Sequence, residues 1–365
     1  MARPEFQQPL EIWIKEDLIL PNYRPNILLM HLTPRETEPE LQYWNLLRDV
    51  LPGLVKIHKF KDLAEAGPLV VIPNHFKDYM DDRSFERVRE FNQKVLASGR
   101  TLVTFTKGLE YKTSPGEIVF AASTYRSSQE TSIPTPYWLF DINNEVSPIP
   151  KPPIPTVGFV GHTEYPGKFN AIMRYLPVTN DFVGWIAGYL PINRNLKLGQ
   201  RRVIARWVRK RAIKALRSAK NIQASVIERT GDFFTLPPEA KQRQRAEYLQ
   251  SIHNNAYTLI MRGDDNSCFQ LWEVISAGRL PVIIDTNQLL PDLGDRKWEE
   301  FTVFVPFKEL DRLGEIVQAF HEKMSEEDFA EACRKSRAAF EYFMPHNFLL
   351  TVVRELSKAS PKTAA

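Results

Sequence analysis

The feature that most constrains this chain is an alternation of short, continuous apolar runs with longer amphipathic segments. In the first half the runs predict strands at residues 26–32, 55–60, 68–72, 101–106 and 118–122, with helices near 41–50 and over 82–98. Strands that are apolar throughout are buried on both faces, and strands separated by helices are usually parallel. The alternation therefore predicts an α/β chain built on a doubly wound parallel sheet.

A proline-rich segment interrupts this alternation in the middle of the chain. Seven of the 27 prolines lie between residues 133 and 155, and they include the sequence SPIPKPPIP. Proline cannot donate a hydrogen bond to a helix or a strand ladder, so this segment predicts an extended connector. We place a domain boundary near residues 142–155.

After the connector the alternation restarts. Strands are predicted at 156–160, 222–227, 257–261, 280–284 and 302–305, with helices at 200–219, 240–254, 269–276 and over most of 309–357. The sequence thus predicts two doubly wound, Rossmann-like domains that face a central cleft. Their expected bounds are 1–145 and 146–340, and a C-terminal helix in 341–365 is expected to pack back on the first domain.

Composition excludes several classes of protein. The two cysteines, Cys268 and Cys333, cannot build a disulfide framework or a cysteine-rich zinc site. GxGxxG and GxxxxGK[ST] are both absent, which argues against dinucleotide and P-loop enzymes. No segment reaches the roughly 18 apolar residues of a membrane span, and charges interrupt the first twenty residues. We therefore expect a cytoplasmic protein.

The segment from residue 257 to residue 285 carries the clearest chemical signal. A predicted strand runs into the loop RGDDNS, residues 262–267, and a predicted helix follows. Free N–H groups and the helix dipole attract phosphate at such a position. Arg262 is suited to bind phosphate bidentately, Ser267 to cap the helix and donate its hydroxyl, and Glu273 to accept both hydroxyls of a ribose.

An alternative interpretation of this segment needs no ligand. Asp264, Asn266 and Ser267 are all common helix-capping residues, and Glu273 would then be a solvated helix residue. Neither Asp264-Asp265 nor Asp81-Asp82 has the DxD arrangement of metal-dependent transferases. We therefore expect no metal site in either place.

The residues around this loop resemble the signature of the exostosin family. The resemblance lies in Tyr248-Leu249, in residues 255–259 and 262–264, in Ser267 and Glu273, and in residues 278–284. Exostosin-family proteins are glycosyltransferases of the GT-B type that use nucleotide sugars. The resemblance implies a GT-B fold and an inverting, metal-independent transfer from a nucleotide sugar, most simply a UDP-sugar, to a glycan hydroxyl. No cofactor beyond the donor is implied, and residues 165–200 look like an insertion relative to the family.

The resemblance also implies roles for individual residues. Arg262 and Ser267 would face the diphosphate and Glu273 the ribose, whereas Asp264, Asp265 and Asn266 would lie near the donor sugar or the base. The remaining members of the implied donor site are Gly263, His162, and Arg209 or Arg211.

A strongly basic helix is predicted next to the donor site. Residues 197–220 contain ten Lys or Arg and no acidic residue, although the net charge of the whole chain is only +4. Three interpretations stay open: contact with the diphosphate or an anionic acceptor, peripheral contact with an acidic membrane surface, and a solvated cationic face. Binding of nucleic acid is not expected, because no aromatic platform accompanies the charge.

An inverting transferase also needs a base to take the proton of the acceptor hydroxyl. His75 and Asp78 follow the predicted strand at 68–72, where a GT-B enzyme carries such a residue, and Glu110 is a third candidate. The competing hypothesis is a non-catalytic nucleotide- or carbohydrate-binding protein on the same fold.

Overall fold

The computed structural model describes residues 8–37, 43–107, 113–126, 132–138, 141–142, 148–163, 198–229 and 236–359. The chain divides into two compact units. Unit 1 comprises Met1–Trp138, Leu289–Pro291 and Tyr342–Ala365, and unit 2 comprises Leu139–Gln288 and Asp292–Glu341. The candidate base Glu110 and nearly all of the predicted insertion at 165–200 lie outside the described residues.

Unit 1 is built on a parallel sheet of six strands in the order β2-β1-β3-β4-β5-β6. The strands are β1 (Leu10–Lys15), β2 (Val55–Phe60), β3 (Leu69–Val71), β4 (Thr101–Thr106), β5 (Glu117–Ala121) and β6 (Ile133–Pro134). The helices are α1 (Tyr43–Val50), α2 (Phe76–Asp81) and α3 (Phe85–Ala97), together with α9 (Pro345–Ala359) from the end of the chain, which packs against α1.

Unit 2 contains a five-stranded parallel sheet in the order β11-β10-β9-β7-β8. Its strands are β7 (Thr156–His162), β8 (Gln223–Arg229), β9 (Tyr257–Ile260), β10 (Leu280–Asp285) and β11 (Val303–Pro306). Its helices are α4 (Leu198–Ser218), α5 (Pro238–Asn254), α6 (Phe269–Ser276), α7 (Leu313–Glu322) and α8 (Glu326–Tyr342). Helices α5, α6 and α7 pack on β7, β10 and β11.

Burial explains why the central strands are continuous apolar runs. Every residue of β3 and of β9 is buried. Because successive side chains of a strand point to opposite faces, both faces of each sheet must be covered at these strands. The predicted pair of doubly wound, Rossmann-like sheets is thereby confirmed, while the cleft of a GT-B enzyme stays a prediction.

Both sheets share one topological feature that determines where a ligand can bind. In each, the first strand lies between the second and the third, so the strand order reverses beside the first strand. The reversal falls between β1 and β3 in unit 1 and between β7 and β9 in unit 2. Ligands of open α/β sheets bind at such switch points, beyond the carboxyl ends of the strands.

The prediction of local structure was wrong in two ways. Residues 26–32 were expected to form a strand, but Ile27–Leu32 is a 3₁₀ helix. The Asn26 side chain begins that helix by accepting a hydrogen bond from Leu28 N at 2.9 Å. Strands β1 and β6 were not predicted at all. β1 lies inside the first sheet between β2 and β3, and β6 lies at the edge of that sheet, within the proline-rich segment.

Candidate functional site

The switch point of unit 2 is occupied by an arginine from the basic helix. Arg209 of α4 donates from Nη1 to the carbonyl oxygen of His162 at 2.9 Å and from Nη2 to that of Arg262 at 3.3 Å. His162 is the last residue of β7, and Arg262 follows β9 by two residues. The guanidinium therefore bridges the two strand ends between which the order of the sheet reverses.

A second arginine of the same helix joins it. Arg206 donates from Nη1 to the same His162 carbonyl oxygen at 3.1 Å. Residues three apart in a helix lie on one face, which explains how both side chains reach one oxygen. Arg206 belongs to the ten cations of the predicted basic helix, whereas Lys197 and the side chains of Arg201 and Arg202 lie outside the described part of the chain.

The surroundings of Arg209 disfavour the positive charge on its guanidinium. Burial, together with the charges of Arg206 and Arg262, lowers the pKa of Arg209 to about 10. Asp264 and Cys268 act in the opposite direction and do not compensate. Three arginines gathered at the carboxyl edge of a sheet repel one another. A bound anion would offset that repulsion, so the site favours an anion.

The loop that follows β9 is closed on itself. Gly263 N donates to Ser267 O at 2.9 Å, and a Cβ at Gly263 would lie only 3.2 Å from that oxygen. Arg262 is 3% exposed and donates from Nη2 to Asp264 O at 3.4 Å. The loop thus holds Arg262 in place through its own backbone, with Asp264 and Asp265 half-buried beside it.

The prediction that Ser267 caps the following helix was wrong. Helix α6 begins at Phe269, and its N-cap is Cys268, whose backbone is extended and whose side chain makes no capping bond. The Ser267 backbone instead belongs to the loop, because its carbonyl oxygen accepts the hydrogen bond that closes the turn. Burial raises the pKa of the Cys268 thiol.

Asn266 joins two loops of the site. Its Nδ2 donates to Thr286 O at 3.3 Å, and its Oδ1 accepts from Thr286 Oγ1 at 2.7 Å. Asn266 and Thr286 are each 1% exposed. The loop after β9 is therefore fixed to the loop after β10, and the Asn266 amide is engaged by protein rather than presented at the surface.

Glu273 lies in the second turn of α6 and is not a solvated residue. Its side chain is 13% exposed, and Arg245 of α5 donates from Nη1 to its Oε1 at 2.5 Å. Arg211, the alternative to Arg209, lies elsewhere. Its guanidinium carbon is 5.6 Å from the centre of the Trp207 ring and 5.8 Å from that of Phe307.

In unit 1 the residues expected to supply the base follow β3, one of the two strands that flank the switch point. His75 is the N-cap of α2, and its ring is half-buried with an edge-on contact to Phe105. Burial and the positive charge of Lys107 lower the pKa of His75 to about 3. The imidazole is therefore neutral at any ordinary pH.

Asp78 has a different environment. Its carboxylate is buried and accepts a hydrogen bond on Oδ1 from Lys107 Nζ at 3.2 Å. Burial raises the pKa of Asp78, although Lys107 acts in the opposite direction. Lys107 follows β4 directly, so the carboxyl ends of β3 and β4 bring this acid and its cation together.

Sequence reasoning missed three residues of these arrangements: Lys107, Arg245 and Thr286. Lys107 stands directly after the predicted strand at 101–106, and Thr286 stands two residues after the predicted strand at 280–284. Those positions were the available signal. Arg245 carries no such signal, because it lies inside helix α5 and its partner Glu273 lies on another helix, 28 positions away in the sequence.

Within the described ranges, no helix has the length and apolar character of a membrane span. In the same part of the chain, no three His, Cys, Asp or Glu side chains are gathered as a metal site would require.

Comparison with known proteins finds a family match in the second half of the chain. Residues 199–320 match the family model described as the Exostosin GT47 domain, and this match includes both switch-point arginines of α4, the loop after β9 and Glu273. This part of the chain is similar to an exostosin GT47 domain, which agrees with the resemblance found in the sequence. His75, Asp78 and His162 lie outside the matched residues.

Two solved structures are similar to the chain. One is TarM, with 8% sequence identity and a TM-score of 0.37 over 72% of this chain, and this chain spans about half of TarM, 51% of its length. The other is AviGT4, a glycosyltransferase involved in avilamycin A biosynthesis, with 11% identity, a TM-score of 0.32, and coverage of 95% of this chain and 98% of that one. A search of curated proteins gives no match.

Proposed function

We propose that this chain is a glycosyltransferase that moves a sugar from a UDP-sugar to a hydroxyl of a glycan or polysaccharide, with inversion and without a metal ion. The observation that carries the proposal is the arginine cluster at the switch point of unit 2: Arg206, Arg209 and Arg262. A nucleoside diphosphate is the leaving group of such a transfer, and it carries the negative charge that this cluster favours.

The cluster suits the chemistry of the bond that breaks. In the transfer, the bond between the anomeric carbon and the diphosphate oxygen breaks, and its electron pair leaves with the diphosphate. Guanidinium groups already fixed at that position stabilise the charge as it develops, without a rearrangement during the reaction. Arg209 and Arg206 are held by backbone carbonyls, so they meet this requirement of preorganisation.

The acceptor hydroxyl forms the new bond and must lose its proton. We assign this proton to Asp78 rather than His75. A general base works best when its pKa lies near the working pH, and a pKa of about 3 leaves the His75 imidazole too weak. The Asp78 carboxylate has a pKa shifted upward by burial, which is the direction that makes it a better base.

The remaining donor contacts follow the resemblance. Glu273 would accept the ribose hydroxyls, Asp264 and Asp265 would lie near the donor sugar or the base, and His162 would contact the donor. Asn266 would act through Thr286 by fixing its loop, since its amide is already bonded. The acceptor is a glycan.

A thermal-shift screen against UDP, GDP, ADP and CDP tests the donor half of the proposal. A ligand that binds only the folded chain raises its melting temperature, and we expect UDP to give the largest rise. Transfer from a panel of UDP-sugars to oligosaccharides tests the other half. Arg262→Ala and Glu273→Ala should abolish transfer while circular dichroism stays unchanged. Binding of UDP without transfer to any acceptor would instead favour a non-catalytic binding protein.

A cytoplasmic location with peripheral membrane contact through α4 is part of the same proposal. The exposed Lys214 of α4 and the exposed Lys220, two residues beyond the end of the helix, support the membrane contact. Co-sedimentation with anionic vesicles should be strong at low salt and weaken at high salt, because exposed charges are screened. Equal sedimentation with neutral vesicles would contradict this role of the lysines.

A further inference from the structure

Glu273 is held by a partner to which neither the sequence nor the family resemblance assigns a role. Arg245, on the neighbouring helix α5, donates to Glu273 Oε1 at 2.5 Å, and the two side chains are 34% and 13% exposed. A side chain this far buried has lost most of its contact with water, and a hydrogen-bonded cation beside it offsets that loss. Arg245 supplies that cation.

Arg245 is itself held in position. Its guanidinium carbon lies 5.5 Å from the centre of the Tyr248 ring, three residues further along the same helix. Tyr248 is 8% exposed, so its ring is fixed by the packing around it. Burial raises the pKa of the Tyr248 hydroxyl, and the charge of Glu273 adds to this rise. The three side chains thus form one cluster in which each restricts the next.

The cluster constrains the orientation of the carboxylate. The hydrogen bond from Arg245 engages Oε1 and so restricts the direction in which the group points. A ribose presents two adjacent hydroxyl donors. A carboxylate binds both of them well only when its orientation is fixed before the nucleotide arrives. Without Arg245 the Glu273 side chain would lose this fixed direction.

We propose that Arg245 is a positioning residue that orients Glu273 to read the ribose hydroxyls of the donor nucleotide, and so gives the site its preference for ribonucleotides over deoxyribonucleotides. This inference rests on the proposed function, because it takes Glu273 as the ribose contact. It goes beyond that function in naming a residue on α5 as the source of sugar selectivity in the nucleotide.

The test measures the ratio of two dissociation constants by isothermal titration calorimetry with the full chain. The probes are UDP and 2′-deoxy-UDP, with GDP and 2′-deoxy-GDP as a second pair. The variants are Arg245→Met, Arg245→Gln and Arg245→Lys. Arg243→Met is the matched control, because Arg243 is an exposed cation on the same helix. Only variants with the wild-type circular dichroism spectrum and cooperative urea unfolding are compared.

We expect wild type and Arg243→Met to bind the ribonucleotide about tenfold or more tightly than the deoxyribonucleotide, as the loss of a charged hydrogen bond implies. In Arg245→Met and Arg245→Gln the ratio should fall close to one. Arg245→Lys should retain part of it, because the lysine keeps a cation beside Glu273. A residue that merely stabilises the fold would weaken both ligands equally and leave the ratio unchanged.

Two kinds of result would overturn the inference, and they are distinguishable. If wild type binds the ribonucleotides but shows no preference, or if both neutral Arg245 variants keep the wild-type ratio, Arg245 does not orient a ribose contact and the proposed function survives. If wild type binds neither pair of nucleotides, the proposed function fails, and the inference fails with it.

Discussion

Replacing Arg209 with methionine separates a ligand-binding role from a structural one. The side chain of Arg209 bridges the carbonyl oxygens of His162 and Arg262 at the switch point. If its purpose were to hold these strand ends together, its loss should destabilise the fold. If its purpose is to bind a diphosphate, the folded chain should tolerate its loss and the nucleotide should not.

The structure gives the size of both effects. The lowering of the Arg209 pKa from 12.5 to about 10 means that its charge costs the folded state about 3 kcal/mol, at 1.36 kcal/mol for each pKa unit. The two hydrogen bonds that it donates return about 2 kcal/mol, at roughly 1 kcal/mol each. We therefore expect Arg209→Met to change the free energy of unfolding by only about 1 kcal/mol, with a gain in stability the favoured sign. Removing one charged hydrogen bond to a diphosphate should weaken UDP binding about 10-fold to 100-fold.

Urea unfolding and calorimetry of UDP binding measure the two effects on the same samples. Lys214→Met is the matched control, since Lys214 is an exposed cation on the same helix, and it should change neither quantity by much. A loss of several kcal/mol in unfolding free energy together with unchanged UDP affinity would refute the assignment of Arg209 to the diphosphate.

Three further predictions concern the base, the loop connection and the packing of β7. Asp78→Asn should lower kcat about 10²-fold to 10⁴-fold with little change in donor affinity, whereas His75→Gln should stay active. A larger loss of kcat in His75→Gln than in Asp78→Asn would instead assign the base to His75. Because the pKa of Asp78 is raised, the wild-type rate should fall on acidification at a pH above the ordinary aspartate value of about 3.9, and a pH–rate profile of kcat detects this limb. Thr286→Val removes the hydroxyl bonded to Asn266, so it should lower the free energy of unfolding in urea by about 1 kcal/mol and weaken UDP binding. Unchanged UDP binding would mean that the connection between the two loops does not shape the donor site. Gly158→Ala would place its Cβ 2.8 Å from Asn255 Nδ2 and from Ser251 Oγ, so it should lower the free energy of unfolding by about 1–3 kcal/mol. An unchanged midpoint of urea unfolding would show that these two side chains move aside at no cost.

The search for short apolar runs finds β4 and misses β1. β4 was predicted with its observed bounds, because residues 102–106 are all buried and three of these five residues are apolar. β1 lies deep in the sheet order, yet its residues alternate between buried and more exposed positions, and Glu11 and Lys15 break the apolar run. A search for continuous runs therefore misses it, although alternation is the pattern of a half-covered strand.

The opposite error at residues 26–32 has a local cause. Residues 27–30 are all buried, so the segment reads as a buried strand, and a short apolar run does not distinguish a strand from a buried helix. Asn26 decides the outcome, because its side chain satisfies the first free N–H of the helix. Asparagine before an apolar run is a helix-start signal, but it is equally common in turns that precede strands.

The parts of the candidate site that depend on local sequence were predictable, and the parts that depend on tertiary structure were not. The loop at residues 262–267 is contiguous and follows a strand, so its place at the edge of the sheet was predictable. Which arginine of α4 joins it was left open between Arg209 and Arg211. In a helix of 3.6 residues per turn, positions two apart lie on nearly opposite faces, whereas positions three apart lie on one face. Arg206 and Arg209 therefore had to act together and Arg211 apart from them. Only the strand order of unit 2, which puts the ends of β7 and β9 side by side, determines which of the two faces meets the switch point.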